Sequence, residues 1–448
     1  MYRNTIKLLV LALCCLLPAG LAWADGAVYA MTNTLGHNQI LVYHRGSDGN
    51  LHPTTPIQTI ATGGGGSGLQ LAAVDSLGSA GSVQLAPDHH LLFAVNTESA
   101  KENNGVGAYN QDCQQGTITS FRVASDGTLT FADRVSSGGL FPNSLTVRKT
   151  PHGHGEDDGR AQSGDLLYVL NAGGPGVCGV SPNITGFRVN GQGRMQPVGS
   201  KQAINPGPPT GTGVNCPPVG FTPAADFLCG LNPPSFPRSP AQVRFTPDGN
   251  QLVVTVKGTS TIYVFDVEEN GRAGDPTIMQ APGPGLPSFF GLTFDKNEHL
   301  LVTELFGTAT SIPTGGAGAV SSFTVGEDGD LHSISSHVGD GGTAACWIAL
   351  EPAKGNFAYV SNNLSANVSS YSVAANGSLT LLSGTAAVGS GPNDLATAQD
   401  GGASFLYVVD AGNGTVGAFQ INLTNGALIP LSVGSGLPTT SAQGIAAF

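Results

Sequence analysis

One polar or charged residue closes the second apolar segment in each of seven similar stretches of this sequence. The seven residues are Asn33, Asn96, Asn171, Lys257, Glu304, Asn362 and Asp410. Asn and Asp are typical of strand ends because their side chains bond nearby backbone groups, and this structural explanation is favoured for the Asn positions. Lys257 and Glu304 are not turn residues, so they are the better candidates for chemistry.

Glu304 has the chemistry of a general base that acts on water or on a substrate. Lys257 and Arg238 are cations that would hold a carboxylate or a developing oxyanion, and we predict these three residues as catalytic. The register of the repeats adds six residues predicted to bind the substrate: Glu98, Gln242, Asn96, Asn171, Asn362 and Asp410. Together they predict a polar pocket for an oxyacid or a sugar-like ligand.

The sequence predicts no dedicated metal site and no cofactor. His152-Gly153-His154 precedes Glu156-Asp157-Asp158, but this spacing matches no zinc signature, and a solvated loop is favoured. A central Ca²⁺ held by Asn and Asp oxygens is kept as an alternative, since hard cations prefer oxygen ligands.

The elements that position these residues are short strands. Between Ser239 and Gly271, three apolar segments of about five to seven residues end at Pro247-Asp248-Gly249, at Lys257-Gly258 and at Asn270-Gly271. Such segments, rich in β-branched and aromatic residues and bounded by turn residues, predict strands joined by tight turns.

The same phrase occurs in six complete copies and one copy that is split between the two ends of the chain. Ala27–Asn33 and Ile40–Leu51 lack a first segment, whereas Ala442–Phe448 is a first segment with nothing after it. Regular repeats of strand-sized units are typical of propellers, and split ends allow the last strand to complete the first blade. We therefore predict an all-β, seven-bladed β-propeller closed by its C-terminal strand.

The first 24 residues have the pattern of a signal peptide. Arg3 and Lys7 precede the apolar run Leu8 to Leu17, and Ala22-Trp23-Ala24 resembles a cleavage site. This predicts a signal peptide over 1–24, a single propeller domain over 25–448, and export to the periplasm or the extracellular space. The net charge of −12 disfavours nucleic acid and anionic membranes as partners. No membrane span is predicted in the mature chain, and we expect a monomer.

The long irregular inserts and the cysteines fall on one face of the predicted ring. Loops that enter a first strand share this face with loops that leave a second strand, and loops on a rigid scaffold often carry the binding surface. Cys216–Cys229 and Cys113–Cys178 are possible disulfides, which leaves Cys346 as a small buried hydrophobe. The sequence does not fix this connectivity.

The repeat units resemble the seven-bladed lactonase family, which includes 6-phosphogluconolactonases and carboxymuconate-lactonising enzymes. The resemblance lies in Pro240–Gly249, Tyr359-Val360-Ser361-Asn362, Ile118–Leu129 and Val368–Leu379. Where the family shows Pro-Arg-His and His-Pro-His-Ser, this chain has Pro240-Ala241-Gln242 and Phe141-Pro142-Asn143-Ser144. The resemblance therefore implies the fold throughout the mature chain, but it transfers few catalytic residues.

Two functions are compatible with these observations. The first is an exported hydrolase or cyclase that opens or closes a small lactone derived from a sugar or a carboxylic acid. The second is a non-catalytic propeller that binds a glycan or a protein partner through the long loops of one face. The sequence leaves open whether the protein is an enzyme, and it does not identify the ligand.

Overall fold

The computed structural model describes residues 26–67, 75–98, 115–149, 164–173, 180–204, 239–257, 259–281, 287–306 and 318–448, and a short hairpin within 102–107. These residues form seven antiparallel sheets of four strands each, arranged as the blades of a propeller. The predicted all-β class and blade number are confirmed. No helix in the described ranges is long and apolar enough to cross a membrane.

The first blade combines the two ends of the chain. It contains β1 (Gly26–Met31), β2 (Gln39–Arg45), β3 (Gln58–Ala61) and, as its innermost strand, β30 (Ile445–Ala447). The second blade contains β4 (Val83–Leu85), β5 (Leu91–Asn96), β8 (Thr117–Val123) and β9 (Leu129–Ser136). The short hairpin of β6 (Glu102–Asn103) and β7 (Val106–Gly107) is inserted between β5 and β8.

The remaining blades follow one another along the chain. The third is β10 (Pro142–Lys149), β11 (Asp165–Asn171), β12 (Asn183–Val189) and β13 (Met195–Ala203), and the fourth is β14 (Pro240–Phe245), β15 (Gln251–Val256), β16 (Thr261–Val267) and β17 (Ala273–Gln280). The fifth is β18 (Pro287–Phe294), β19 (Leu300–Phe306), β20 (Gly318–Val325) and β21 (Leu331–Gly339). The sixth is β22 (Ala345–Leu350), β23 (Phe357–Asn362), β24 (Asn367–Val373) and β25 (Leu379–Val388), and the seventh is β26 (Pro392–Asp400), β27 (Ala403–Asp410), β28 (Thr415–Ile421) and β29 (Leu428–Ser435).

The C-terminal strand closes the ring as the sequence predicts. In the antiparallel pair of β1 and β30, Tyr29 lies opposite Ala446 and Ala30 lies opposite Ile445. The backbone N–H of Met31 donates to Gly444 O at 3.0 Å, and Arg45 Nε donates to Phe448 O at 2.7 Å. Because this pairing satisfies backbone groups on the inner edge of β1, it removes an otherwise open edge.

Adjacent blades are joined by a recurring tyrosine hydrogen bond. A second-strand tyrosine hydroxyl donates to a turn glycine carbonyl of the next blade in four pairs: Tyr29 with Gly127, Tyr168 with Gly271, Tyr359 with Gly426 and Tyr407 with Gly49, at 2.8–2.9 Å. These glycines have φ near +80°, and a Cβ on Gly49 would approach Phe405 to 2.1 Å. The turn glycine therefore serves both the hairpin and the contact between blades.

Candidate active site

The polar residues that close the seven second segments are called the polar ring here. Its asparagines make hydrogen bonds to other groups of the protein. Asn96 is fully buried; its Nδ2 donates to the hydroxyls of Thr117 and Thr119, and its Oδ1 accepts from Thr62 Oγ1 and Asn38 Nδ2. These four bonds, of 2.6–3.2 Å, join three segments of neighbouring blades. Asn96 is thus placed as a cross-link between strands and has no polar group left for a substrate.

The other amides at these strand ends also donate to protein groups, but the buried Oδ1 atoms of Asn171 and Asn362 have no hydrogen-bond partner among the described residues. Asn171 donates to Asn183 Oδ1 and Ser137 O, and Asn362 donates to Asn367 Oδ1 and Ser369 Oγ. In the first blade, Asn33 Nδ2 donates to Ser67 Oγ and Ser76 Oγ, both at 2.6 Å. Asp410 accepts from Ser390 N at 2.6 Å and from Asn413 Nδ2 at 3.1 Å.

Glu98 and Gln242 also bind protein groups. Glu98 Oε1 lies 2.8 Å from Arg134 Nη2 and accepts a 2.6 Å hydrogen bond from Thr117 Oγ1. Gln242 is buried, and its Oε1 accepts the N–H of Leu292 at 2.7 Å, which links the fourth and fifth blades. The predicted role of these residues in substrate binding stays a prediction, since the protein itself supplies partners for each.

A buried segment crosses the central channel on the face of the long inserts. We call residues 75–81 the channel plug. Leu77 N donates to Gln443 Oε1, Trp347 Nε1 donates to Ser79 O, and Ser79 Oγ donates to Asn143 O, all at 2.7–2.8 Å. Because these partners belong to three different blades and every plug residue is buried, the plug covers the inner strands on this face.

Lys257 lies beneath the plug and does not face solvent. Lys257 is only 1% exposed. Its Nζ donates to Gly78 O and lies 5.4 Å from the centroid of the Phe290 ring. Burial lowers the pKa of Lys257 and raises the pKa of Asp75, while the attraction between these two groups opposes both shifts. Lys257 therefore anchors the plug in this structure, and its predicted catalytic role remains a prediction.

Cys346 lies beside this pair. It is a free, buried cysteine, as predicted, and burial raises the pKa of its thiol well above the usual range. Its backbone carbonyl accepts the Thr303 hydroxyl at 2.8 Å. The four cysteines of the two possible disulfides, Cys113, Cys178, Cys216 and Cys229, lie outside the described residues.

Asp394 is a second buried carboxyl near the plug, and it predicts a pH effect on stability. Burial raises its pKa to about 7, although N–H groups of Gly81 and Leu395 bind it. The folded protein therefore retains a proton that the unfolded chain releases above pH 4. This stabilising contribution is present at pH 4 and lost as the pH rises to 7, and it amounts to about 4 kcal/mol at most.

We expect Asp394→Asn to remove this loss, since a neutral amide replaces the protonated acid. Urea unfolding at pH 4.5 and pH 7 should show a smaller decrease in the free energy of unfolding for the variant than for the native chain. Asp275→Asn, at an exposed position, provides the control and should follow the native chain. Parallel pH profiles for native chain and Asp394→Asn would contradict the prediction.

Glu304 and His337 form a carboxylate–imidazole dyad on the same face as the plug. Glu304 is fully buried at the end of β19, and its Oε2 lies 2.6 Å from Nδ1 of His337, whose side chain is 51% exposed. Burial raises the pKa of Glu304, and hydrogen bonds from Ser321 and His337 act in the opposite direction. Among the described residues, the half-exposed His337 links the buried Glu304 carboxyl to solvent.

This geometry orients the imidazole. A proton held on Nδ1 by a carboxylate leaves the Nε2 lone pair as the basic site of the ring, which is the arrangement used by general bases. The backbone also fixes the ring, because His337 has a φ of +52° and its N–H donates to Ser321 Oγ at 2.9 Å. Glu304 was predicted from the sequence as a candidate for chemistry, whereas His337 was not.

The grouping of Lys257 and Glu304 with Arg238 as catalytic residues stays a prediction. The described contacts of Lys257 are with the plug and Phe290, and those of Glu304 are with Ser321 and His337. Arg238 and the His152–Asp158 cluster lie outside the described residues. Within the described part of the chain, no group of three or more His, Cys, Asp or Glu side chains is arranged to hold a metal ion.

Comparison with models of protein families matches one family to the second half of the described blades. The profile of the family described as "Lactonase, 7-bladed beta-propeller" matches residues 242–441. This part of the chain is similar to the seven-bladed lactonase family. The match runs from within β14 of the fourth blade to beyond β29 of the seventh blade, and it includes Lys257, Glu304 and His337. No curated protein matched the chain.

Solved structures agree with this lactonase-type propeller over nearly the whole chain. The periplasmic gluconolactonase of Pseudomonas aeruginosa superposes with a TM-score of 0.60 at 17% identity, covering 93% of this chain and 98% of its own. A putative 6-phosphogluconolactonase of Bacteroides fragilis gives 0.56 at 17% identity, covering 95% and 98%. One of Bacteroides uniformis gives 0.57 at 15% identity, covering 94% and 99%. At such identities the similarity is one of fold.

The lactonase-type propeller departs from the family pattern where the plug crosses it. Asn143 stands in the segment that replaces His-Pro-His-Ser, and its carbonyl accepts the Ser79 hydroxyl at 2.7 Å. Ala241 stands in the segment that replaces Pro-Arg-His, and its carbonyl accepts the Ala80 N–H at 3.1 Å. Both segments therefore bind the plug in this chain.

Proposed function

We propose that this chain hydrolyses a small lactone derived from a sugar or a carboxylic acid, with His337 as the general base and Glu304 as its positioning residue. The observation that supports the proposal most is the 2.6 Å hydrogen bond between a fully buried carboxylate and a half-exposed imidazole. The match of residues 242–441 to the lactonase family supports the reaction class. His337 touches the attacking water, whereas Glu304 acts through His337.

In this reaction His337 first accepts a proton from water and later donates a proton to the leaving alkoxide. His337 Nε2 takes a proton from water as the water oxygen attacks the lactone carbonyl, which gives a tetrahedral intermediate and an imidazolium. The buried Glu304 carboxylate stabilises this cation at 2.6 Å. The ring C–O bond then breaks, and the imidazolium protonates the departing alkoxide. The product is a hydroxy acid, and microscopic reversibility allows the same residues to close the ring.

We expect His337→Gln to lower kcat/KM for a lactone by about 10²- to 10⁴-fold, the usual contribution of a general base. Glu304→Gln should also lower kcat/KM and should alter the pH profile, because it weakens the bond that fixes the ring. His332→Gln is the matched control, since His332 is an exposed histidine on the same strand and lies outside the dyad. Turnover is measured by pH-stat on a panel of sugar and carboxylate lactones.

The outcomes separate catalysis from binding. Full turnover by His337→Gln or Glu304→Gln variants that melt like the native chain would remove the dyad from the mechanism. No turnover above buffer with any lactone would remove the hydrolase assignment and would favour the non-catalytic propeller that binds a glycan or a protein partner.

We also propose that the protein is exported, to the periplasm or to the extracellular space. The proposal rests on the N-terminal pattern of Arg3, Lys7, the apolar run and Ala22-Trp23-Ala24. N-terminal sequencing of the protein secreted by an expressing cell should give Asp25 as the first residue. An intact N-terminus in a cytoplasmic fraction would contradict export.

A further inference from the structure

The opposite mouth of the channel contains a cavity of about 660 Å³. It lies where the first strands of the second to sixth blades end, on the face away from the channel plug. We call it the turn-face cavity, because the turns that follow these strands, such as Thr246–Gly249 and Glu351–Gly355, form its rim. Its volume is typical of a site for a small organic molecule.

Positive charge is concentrated in this cavity. Its lining contains five cationic side chains, Arg148, Lys149, Arg244, Lys296 and Lys354, of which Lys149 is paired with Asp88 at 2.6 Å. The whole chain has only 18 Lys and Arg residues and a net charge of −12, so the concentration runs against its overall composition. The five cations outnumber the three carboxylates of the lining, Asp248, Asp295 and Glu351, and an excess of positive charge in a concave site attracts small anions.

The carboxylates of the lining are already used by their own turns. Asp248 accepts from Thr246 Oγ1 and from both nitrogens of Asn250, and Glu351 accepts from Ala353 N, Lys354 N and Ser404 Oγ. Asp295 accepts from Asn297 N and binds His299 through both backbone and ring nitrogens. They therefore have little remaining capacity to bind the cations of the cavity.

Arg244 is the most informative of these cations. Other inner-strand side chains that face the next blade accept a backbone hydrogen bond from it. Ser144 accepts the N–H of Val243, Thr146 accepts that of Phe245, and Gln242 accepts that of Leu292. Arg244 follows Gln242 on the same side of β14, but a guanidinium has only donors and cannot serve this purpose. In the described residues it has no hydrogen bond or ion pair, and burial lowers its pKa.

Arg148 lines the same cavity from the third-blade side of β14 and has donors to spare. Its guanidinium lies over the Phe245 ring at 5.4 Å, and its buried Nε has no hydrogen-bond partner among the described residues. A Cβ on Gly249 would approach Arg148 Cδ to 2.5 Å, so the glycine of this turn makes room for the arginine stem. Two partly buried guanidinium groups with free donors therefore line one cavity.

The geometry points to a second ligand site in the turn-face cavity, where Arg244 binds the oxyanion of a small molecule, a phosphate or a polycarboxylate, and Arg148 adds positive charge from the same lining. Both groups match the planar, forked donors of arginine, and the cavity exceeds the size of an inorganic ion. The site lies on the face opposite the His337–Glu304 dyad, so it is independent of the proposed hydrolysis.

The test titrates the full chain with inorganic phosphate and with citrate, by calorimetry and by thermal melt, against sodium chloride of equal ionic strength. We expect saturable binding of at least one of the two anions with a Kd below about 1 mM and a higher melting temperature. The stronger of the two identifies the class of oxyanion. No binding of either anion beyond the chloride control would overturn the site.

The variants locate the binding. Arg244→Gln should weaken the binding of the anion at least tenfold, and Arg148→Gln, which does not alter β14, should weaken it in the same direction. Arg122→Gln removes one charge from an exposed position on β8 and should leave the affinity unchanged. Equal losses in all three variants, or no loss in the first two, would show that the anion responds to net charge or binds elsewhere. Lactone turnover should be unchanged in all three.

Discussion

Deletion of Ala442–Phe448 is expected to unfold the ring and not merely to shorten its end. The deletion removes β30 from the inner edge of β1, together with the buried side chains of Ala442, Ile445 and Ala446. It also removes the Phe448 carbonyl that binds Arg45 and the ring that stacks on His89 at 5.0 Å. Each backbone group left buried and unpaired costs about 1–3 kcal/mol. The total is about 5 kcal/mol or more, comparable with the whole stability of many proteins.

The measurement compares a chain ending at Ser441 with the full chain by thermal melt and size exclusion. Ile445→Ala is the matched control, because it keeps the backbone pairing of β30 and should cost only about 2–4 kcal/mol as a buried large-to-small substitution. The deletion should therefore melt lower than Ile445→Ala or elute as an aggregate. An unchanged melting temperature and a monomeric elution would mean that another segment closes the ring.

The propeller could be predicted from the sequence because each blade repeats a short alternating pattern bounded by turn residues. Ala442–Phe448 has the apolar pattern of a first strand, and Ala27–Asn33 lacks one, so the closure of the ring followed from matching the two. The structural explanation of the ring amides was also available, since Asn at a strand end is usually used by its surroundings. The actual partners are mostly third-strand side chains, which the chain spacing alone does not specify.

The candidate site was harder to predict, for two physical reasons. The plug is an irregular loop with no periodicity, and only its contacts with Gln443, Trp347 and Asn143 reveal that it crosses the channel. His337 lies on an exposed fourth strand, and register shifts between β20 and β21 separate it from any simple pairing with Glu304. Neither feature has a residue pattern that distinguishes it from an ordinary loop or an ordinary outer strand.

The turn-face cavity was missed for a related reason. Within its own strand, Arg244 is a polar residue in an alternating pattern, which is the expected form of a half-buried strand. Arg244, Arg148 and Lys354 line one cavity because the closure of the ring brings the ends of first strands from different blades to one mouth. Spacing along the chain contains no sign of this arrangement.

Lys257→Met is expected to destabilise the protein by about 3–5 kcal/mol at pH 7, because it leaves the buried Asp75 carboxylate without its countercharge. Methionine fills a similar volume, so the main loss is electrostatic together with the bond to Gly78 O. Burial already raises the pKa of Asp75 while Lys257 opposes that shift, so removal of Lys257 should raise it further. The folded variant then holds a proton that the unfolded chain releases above pH 4, and its stability should rise as the pH falls from 7 towards 4.

Urea unfolding as a function of pH checks this prediction, and a double variant provides the control. Adding Asp75→Asn to Lys257→Met removes the buried charge, so the double variant should recover part of the loss at pH 7 and should have a flatter pH profile than Lys257→Met alone. If Lys257→Met is as stable as the native chain at pH 7, the ammonium does not anchor the plug. Lys257 would then be free to serve a substrate, and the catalytic role predicted from its position at the end of β15 would regain its support.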